Sequence, residues 1–421
     1  MSLNSRALLG IVVACPQYCA GVAPLHGKPL HSFMILLLLF TLILLIVYIG
    51  LLLYYRSGWL AIPVFHQSPI TNHQSTFITV LIPARNEAEN ISCLLDALLA
   101  QSYPKELFEV IVINDHSTDN TAEIVRRYSN FKLIFLKNFI SAGPINAYKK
   151  KAIEIGIQQS RGELIVTTDA DCYAPENWLQ NIATFYETNK PELMVMPVAI
   201  NCSLNAIEIF QALDFMTLQG ITGASVQKKM HSMCNGANLA YTRKSFNAVN
   251  GFKGIDSIAS GDDMLLMHKI ALQYPKGIFY LKSAEVIVQT QPVHTIKEFF
   301  NQRIRWASKA DKYDDKRIFW VLVLVYLFNL MMVVLPVLSL VSARPYILAG
   351  GYWSLIEYWF LLLAVKTFAE LFFLYPVAIF FNKVKLLWAF PLAQPFHIIY
   401  TVIAGWLGRF GSYEWKERKV K

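Results

Sequence analysis

Two aspartates one residue apart, Asp169 and Asp171, follow an apolar, β-branched run at 164–168. Such a run is typical of a buried strand, and alternate side chains of a strand point the same way. We therefore expect both carboxylates to face one crevice at the carboxyl end of this strand. Carboxylate oxygens suit Mg²⁺ and Mn²⁺, so the pair indicates a divalent-metal site. Alone the motif is weak, because many solvated turns carry two aspartates.

Polar side chains also follow two earlier strand-like runs, at 77–83 and 108–113. Helical patterns at 91–99 and 149–158 alternate with the strands, which predicts a mainly parallel, doubly wound sheet. Sheets of this kind bind ligands beyond the carboxyl ends of their strands, so we expect the polar tips to converge on one crevice. The tip residues are Pro83, Arg85, Asn86 and Glu87 after the first run and Asp115 after the second.

Two further acids, Asp262 and Asp263, precede the helical pattern at 264–272. An acid at this position is commonly a helix cap. In a crevice with other polar tips, either carboxylate could instead serve as a general base.

A later segment at 298–309 contains Gln302, Arg305 and Trp306. Arginine can clamp phosphate, and tryptophan can stack on a sugar face. The segment also fits a basic amphipathic helix on the bilayer surface, because an apolar stretch follows it. The two interpretations do not exclude each other.

The chain of 421 residues is 55% hydrophobic and only 16% charged, which is too apolar for an ordinary soluble enzyme. Apolar stretches at 33–55, 318–341, 355–381 and 386–407 are long enough to cross a bilayer. The mixed sequence between the first and second is large enough for one α/β domain. The net charge of +9 indicates anionic lipid or a phosphorylated substrate as partner. Nucleic acid is not expected, since no basic helix or zinc-ligand spacing occurs.

This layout predicts five segments: an extension or over-extended reading frame at 1–32, a span at 33–55, the α/β domain at 76–315, a membrane region at 318–408, and a basic tail at 409–421. Basic residues flank the spans on the side of the domain, which indicates a cytoplasmic domain on the inner membrane. Prolines in the fourth stretch allow it to be re-entrant, which would return the tail to the cytoplasm. Within the third stretch, Lys366 and Glu370 lie four residues apart and could be a structural ion pair or face an acceptor channel.

In order along the chain, the motifs IPARNE, VINDHSTDNT, TTDAD, GDD and QRIRW resemble those of the membrane-bound family 2 glycosyltransferases. This family has the GT-A fold and includes cellulose, chitin and hyaluronan synthases and ceramide glucosyltransferases. The resemblance covers about residues 76–312. It implies an α/β nucleotide-sugar-binding GT-A domain with a mainly parallel sheet, joined to one N-terminal and about three C-terminal transmembrane helices.

The resemblance also implies roles for individual residues. Asp115 matches the acid that contacts the donor nucleoside, and Asp171, assisted by Asp169, matches the acid that binds Mg²⁺ or Mn²⁺ on the donor diphosphate. Lys149 matches a nucleotide- or phosphate-binding lysine, although Lys150 and Lys151 leave that register open. Donor contacts are further expected from Pro83, Arg85, Asn86 and Glu87. Asp262 matches the general base, with Asp263 as a competing candidate, and Gln302, Arg305 and Trp306 match the motif beside the diphosphate and acceptor.

The sequence therefore predicts an inverting, metal-dependent transferase. It would move a sugar from a nucleotide-diphosphate sugar, UDP-linked by resemblance, to a hydroxyl or phosphate of a membrane-associated acceptor. The small membrane region favours a lipid acceptor over a processive polysaccharide synthase. A non-catalytic membrane scaffold is disfavoured, because every expected acid is present.

Overall fold

The computed structural model describes residues 28–66, 75–140, 146–203, 205–308, 315–341, 346–348, 351–410, 413–415 and 418–420. Most of the expected extension at 1–32 lies outside these residues. The helices are α1 Lys28–Ala61, α2 Ile91–Leu99, α3 Thr121–Arg126, α4 Tyr148–Gln158, α5 Trp178–Asn189, α6 Ala206–Gln227, α7 Arg243–Ala248, α8 Met264–Gln273, α9 Ile296–Ala307, α10 Lys316–Val341, α11 Leu355–Phe380 and α12 Phe390–Phe410. The strands are β1 Ile78–Ala84, β2 Phe108–Asn114, β3 Lys132–Phe135, β4 Leu164–Thr167, β5 Cys172–Tyr173, β6 Leu193–Val195, β7 Val198–Ile200, β8 Leu239–Thr242, β9 Ile278–Tyr280, β10 Val288–Thr290, β11 Tyr346–Leu348, β12 Gly351–Trp353, β13 Tyr413–Trp415 and β14 Arg418–Val420.

Seven strands form the main sheet in the order β3-β2-β1-β4-β8-β6-β9. The first four are parallel to one another, and β9 is parallel to β6. Strand β8 runs antiparallel to both of its neighbours. The carboxyl ends of β1, β2 and β4 consequently meet at one edge, as the sequence predicts. A smaller sheet of β5, β10 and β7 lies alongside.

Alternate residues of the central strand β1 enter two different cores, which is why its sequence is apolar throughout. Val80 and Ile82 pack with Leu94 of α2 on one face of the sheet. Leu81 packs with Ile153 of α4 on the other face. This second core continues into the apolar helices α1, α10 and α11. The main sheet and the long helices are thus built on shared packing.

Among the residues that the structure describes, four helices are long and apolar enough to cross a membrane: one near the N-terminus and three in the C-terminal part, as expected. The fourth contains two prolines, and α12 nevertheless runs unbroken from Phe390 to Phe410. Pro391 falls in the first turn, where a helix does not need the missing N–H. Pro395 lies inside the helix. Whether this helix crosses the bilayer fully or re-enters stays a prediction.

Lys366 and Glu370 belong to a buried polar network that joins three helices. The Lys366 ammonium contacts Glu370 at 2.6 Å and the side-chain oxygen of Gln394 on α12 at 2.7 Å. Gln394 and Tyr48 of α1 each donate to the Glu370 carboxylate, both at 2.6 Å. Lys366 has no exposed surface. These contacts favour the structural ion pair over a residue facing an acceptor channel, because the charges are neutralised within the helix packing.

Helix α6 joins the α/β domain to the membrane helices through glycines. A Cβ on Gly223 would lie 2.8 Å from the Trp59 ring of α1, and one on Gly220 would lie 2.6 Å from Val377 of α11. A Cβ on Gly58 of α1 would lie 2.9 Å from the Ala224 carbonyl oxygen of α6. We call this contact the glycine seam. The absence of side chains there lets the helices approach closely.

Gly223→Val should destabilise the protein, because a branched side chain cannot fit against Trp59. Overpacking of this kind costs about 1–3 kcal/mol. Gly50→Ala on α1 is the matched control, since nothing lies within 4 Å of a Cβ there. Thermal unfolding of the detergent-solubilised proteins should show a loss for the first variant and none for the second. Equal stability of both variants would contradict the seam.

Candidate active site

The loop after β1 is fastened to the loop after β2 by side chains that the sequence singles out. Arg85 donates to the carbonyl oxygens of Asp115 and His116, at 3.3 and 3.4 Å. Asn86 adopts a φ of +51°, a region that asparagine tolerates better than most residues, and its side-chain oxygen accepts from the Thr118 N–H at 2.8 Å. These two polar tips therefore form one unit, as predicted.

Glu87 continues the same unit by contacting Thr121, the first residue of α3. Its backbone N–H donates to Thr121 Oγ1 at 2.8 Å, and Asp119 accepts from the backbone N–H groups of Ala88 and Thr121, both at 3.0 Å. Although burial opposes it, a hydrogen bond from the Thr121 hydroxyl and those from the two backbone N–H groups hold the pKa of Asp119 below its usual value. Asp119 thus stays ionised and binds the two loops together.

Asp115 lies at the bottom of this unit and is 4% exposed. His116 Nδ1 lies 2.9 Å from its carboxylate, and the imidazole meets the ring of Tyr148 edge-on at 5.7 Å between centroids. His116 is absent from the predicted site residues. It adopts a φ of +54°, a conformation that few residues other than glycine take. Pro83 lies within β1, opposite Ile113 of β2.

Lys149, in the first turn of α4, lies between two of the predicted acids. Its ammonium is 2.7 Å from Asp169 Oδ1 and 3.4 Å from Asp262 Oδ2. Although burial opposes it, these carboxylates raise the pKa of Lys149 above its usual value. The amine therefore stays charged and holds together acids from widely separated parts of the chain. Of the three consecutive lysines, Lys149 is the one that contacts the acids.

The expectation that strand alternation orients Asp169 and Asp171 is wrong. Strand β4 ends at Thr167, and both aspartates lie in the turn that leads to β5. Their contacts also differ, since Asp169 pairs with Lys149 whereas Asp171 Oδ2 accepts from Thr290 Oγ1 of β10 at 3.4 Å. The chain has left the sheet before the period of two could apply to them.

Asp263 caps helix α8. Its two carboxylate oxygens accept from the Met264 N–H at 2.7 Å and from the Gly236 N–H at 3.1 Å. A Cβ on Gly236 would lie 3.2 Å from Asp262 Oδ2, so a residue without a side chain allows the acids to sit against this loop. The neighbouring acids thus differ in environment: Asp263 is held by backbone N–H groups, and Asp262 by the Lys149 ammonium.

Lys150 anchors the segment that leads to these acids. It is 2% exposed, and its ammonium donates to the carbonyl oxygens of Ile258 and Ser260, the latter at 2.8 Å. Lys151, by contrast, pairs with Glu154 on the surface of the helix at 2.7 Å. Neighbouring helix positions point about 100° apart, which is why the three lysines make different contacts.

The predicted Gln302, Arg305 and Trp306 lie on helix α9. The helix begins with a capping box of Thr295 and Glu298. All three predicted residues are partly buried, and the Trp306 ring packs against Phe215 of α6 with 6.0 Å between centroids. Helix α9 therefore lies against α6 rather than only on a bilayer surface.

The site offers few side chains that could coordinate a metal ion. Among the residues that the structure describes, no group of three or more His, Cys, Asp and Glu is arranged to hold an ion. Asp169 and Asp171 supply carboxylate oxygens, which suit Mg²⁺ or Mn²⁺. An ion held by them would need oxygens from a bound substrate to complete its coordination.

Comparison with known sequences finds a match at residues 79–249 to the model described as Glycosyl transferase family 2. Glycosyltransferase AglE of Haloferax volcanii is 38% identical over 104 residues, which are 25% of this chain and 33% of that protein. Probable glycosyltransferase YdaM of Bacillus subtilis is 30% identical over 240 residues, which are 55% of this chain and 54% of that protein. Dolichyl-phosphate beta-glucosyltransferase ALG5C of Trichomonas vaginalis is 40% identical over 101 residues, 23% of this chain and 29% of that protein. The chain thus spans about half or less of the length of these relatives.

Comparison with solved structures finds the mannosyltransferase PcManGT from Pyrobaculum calidifontis, solved with GDP-Man and Mn²⁺. The TM-score is 0.51 at 19% identity, and the match covers 87% of this chain and 99% of that one. At this identity the likeness concerns the fold alone. It confirms the expected GT-A type α/β domain.

Lys150→Met should lower stability by about 1–3 kcal/mol, because two carbonyl oxygens of the segment before Asp262 lose a buried donor. Lys151→Met is the matched control from the same run of lysines. Its surface pair is worth only about 0.2–0.5 kcal/mol. Chemical denaturation of the purified variants should separate them. A Lys150→Met protein as stable as Lys151→Met would show that the anchoring contact is unimportant.

Proposed function

Because the chain carries a glycosyl transferase family 2 domain, we propose that it is an inverting glycosyltransferase of the membrane. It transfers a sugar from a nucleotide-diphosphate sugar, which we predict to be UDP-linked. The acceptor is a hydroxyl or phosphate of a membrane-associated molecule, which we propose to be a lipid. The observation that carries this proposal is the Lys149 ammonium between Asp169 and Asp262 at the carboxyl edge of the sheet. It joins a carboxylate suited to the donor side to one suited to the acceptor side.

The donor side is the unit formed by the first loops. Asp115, paired with His116, contacts the nucleoside, and the neighbouring Arg85, Asn86 and Glu87 shape its pocket. Pro83 lies near the end of the supporting strand β1. The Lys149 ammonium neutralises charge on the diphosphate as it leaves.

Asp169 and Asp171 are the residues that would hold Mg²⁺ or Mn²⁺, with diphosphate oxygens completing the coordination. When bound, the ion supplies further neutralisation of the leaving diphosphate. The similar mannosyltransferase was solved with Mn²⁺ and GDP-Man, which supports a divalent ion and makes the base of the donor a matter for experiment.

Asp262 is the general base in this proposal. It takes the proton from an acceptor hydroxyl, whose oxygen then attacks the anomeric carbon from the side opposite the diphosphate. One displacement inverts that carbon and requires no enzymatic nucleophile. The contacts of Asp263 support Asp262 over it, since both Asp263 oxygens already accept from backbone N–H groups.

The acceptor side is formed by Gln302, Arg305 and Trp306 on α9, a helix in contact with membrane helix α12. Four candidate spans indicate a multi-pass membrane protein. Basic residues flank the spans at Arg56 and at Lys383, which supports a cytoplasmic catalytic domain on the inner membrane.

Incubation of membranes containing the protein with a panel of labelled UDP- and GDP-sugars tests this function. We expect label from one donor to enter organic solvent, and EDTA to stop the transfer until Mn²⁺ or Mg²⁺ is restored. Insoluble polymer would instead indicate a processive synthase, and no transfer from any donor would favour a scaffold. Full activity in the chelator would remove the metal from Asp169 and Asp171.

Asp262→Asn should lower transfer by at least about 10²-fold, because the amide cannot accept the acceptor proton. Binding of UDP or GDP with Mn²⁺ should change little. Asp263→Asn is the comparison: its amide oxygen can still cap α8, the acceptor for the Gly236 N–H is lost at a cost of about 0.5–1.5 kcal/mol in stability, and the variant should retain transfer. The reverse pattern of activities would assign the base to Asp263.

A further inference from the structure

Arg303 and Asp214 form an ion pair buried beneath the motif on α9. The guanidinium Nη2 lies 2.6 Å from Asp214 Oδ2, and both side chains are 4% exposed. Arg303 lies between Gln302 and Arg305 in the chain but is not among the residues that the sequence singled out. Breaking such a pair leaves an uncompensated buried charge, so it holds α9 firmly against α6.

The guanidinium also stacks on aromatic rings of its own helix. The Arg303 Cζ atom lies 4.2 Å from the centre of the Trp306 ring and 4.7 Å from the centre of the Phe299 ring. Its Nη1 donates to the side-chain oxygen of Gln302 at 3.1 Å. One buried side chain therefore contacts two of the three residues that we assign to the acceptor side. Planar stacking is a property of arginine that lysine lacks.

Membrane helix α12 completes the cluster. The Tyr400 hydroxyl donates to Asp214 Oδ1, and His397 Nε2 lies 3.9 Å from the same oxygen. Nearer its end, α12 approaches α9 so closely that a Cβ on Gly408 would lie 2.6 Å from the Ala307 Cβ. Helix α12 thus helps to position α9 in two places, through Asp214 and through the close contact at Gly408.

The segment before α9 is fixed to α6 as well. The side chain of Gln211, 1% exposed, accepts from the Val293 N–H at 3.0 Å and donates to the Val293 carbonyl oxygen at 2.8 Å. Gln211 and Asp214 lie three residues apart, on one face of α6. That face therefore fixes both the entry to α9 and the middle of the helix.

From these contacts we infer that Arg303 is a positioning residue for the acceptor side. Held by Asp214, which in turn accepts from Tyr400, it fixes the Trp306 indole and the Gln302 side chain, so that the acceptor meets the base in one orientation. The inference rests on the proposed function. It assigns to membrane helix α12 a part in arranging the active site, through Tyr400 and Asp214.

Two variants separate stacking from charge pairing. Arg303→Lys keeps a cation for Asp214 but removes the planar group that stacks on Trp306. Tyr400→Phe keeps the ring and removes only the hydroxyl that reaches Asp214. Lys297→Met, which removes an exposed charge from the same helix, is the matched control.

The measurements are the rate of label transfer in native membranes, the KM for the nucleotide sugar that the wild type uses, and the Kd for UDP or GDP with Mn²⁺. For Arg303→Lys we expect the maximal rate to fall at least tenfold, with the KM and the Kd within twofold of the wild type. Tyr400→Phe should show a smaller fall of the same kind, and Lys297→Met none.

Two results would overturn the inference while leaving the proposed function intact. One is transfer at the wild-type rate by both Arg303→Lys and Tyr400→Phe. The other is a loss of nucleotide binding in parallel with transfer, which would mean a general structural role. Should Arg303→Lys fail to accumulate, the same two criteria apply to Tyr400→Phe. Absence of transfer by the wild type itself would refute the proposed function, and the inference with it.

Discussion

The arrangement of the candidate site depends on one ammonium group placed among carboxylates. Asp169 comes from the turn after β4 and Asp262 from the segment before α8. Without a positive charge between them, the two carboxylates would repel each other. The Lys149 ammonium lies within 3.4 Å of both carboxylates, and their attraction for it raises the pKa of Lys149. The first turn of α4 supplies this charge, and Gly236 leaves the space in which the acids meet. A single side chain of α4 therefore holds together the acids of the candidate site.

Much of this framework could be predicted from the sequence, because hydrophobic patterns report burial directly. The pattern at 91–99 coincides with α2, and the apolar runs before the polar tips correspond to β1 and β2. The convergence of those tips follows from the geometry of parallel strands alone.

Other features depend on contacts between distant parts of the chain, which patterns do not report. Three adjacent lysines are equivalent in sequence, and only packing distinguishes the ion pairs of Lys149 from the buried anchor of Lys150. Strand β4 ends at Thr167, before both Asp169 and Asp171, although the apolar run continues to 168. In sequence Arg303 resembles any basic residue of an amphipathic helix, and only its contact with Asp214 of α6 distinguishes it.

The glycine seam fixes a position as well as a contact. At Gly223 and Gly220 no side chain of α6 separates the helix from Trp59 of α1 and Val377 of α11. These close contacts leave α6 little freedom to slide along the two helices, so the position of the α/β domain relative to them is set when the chain folds. Under the proposed function, the active site would therefore keep one position relative to the helices that hold it at the membrane.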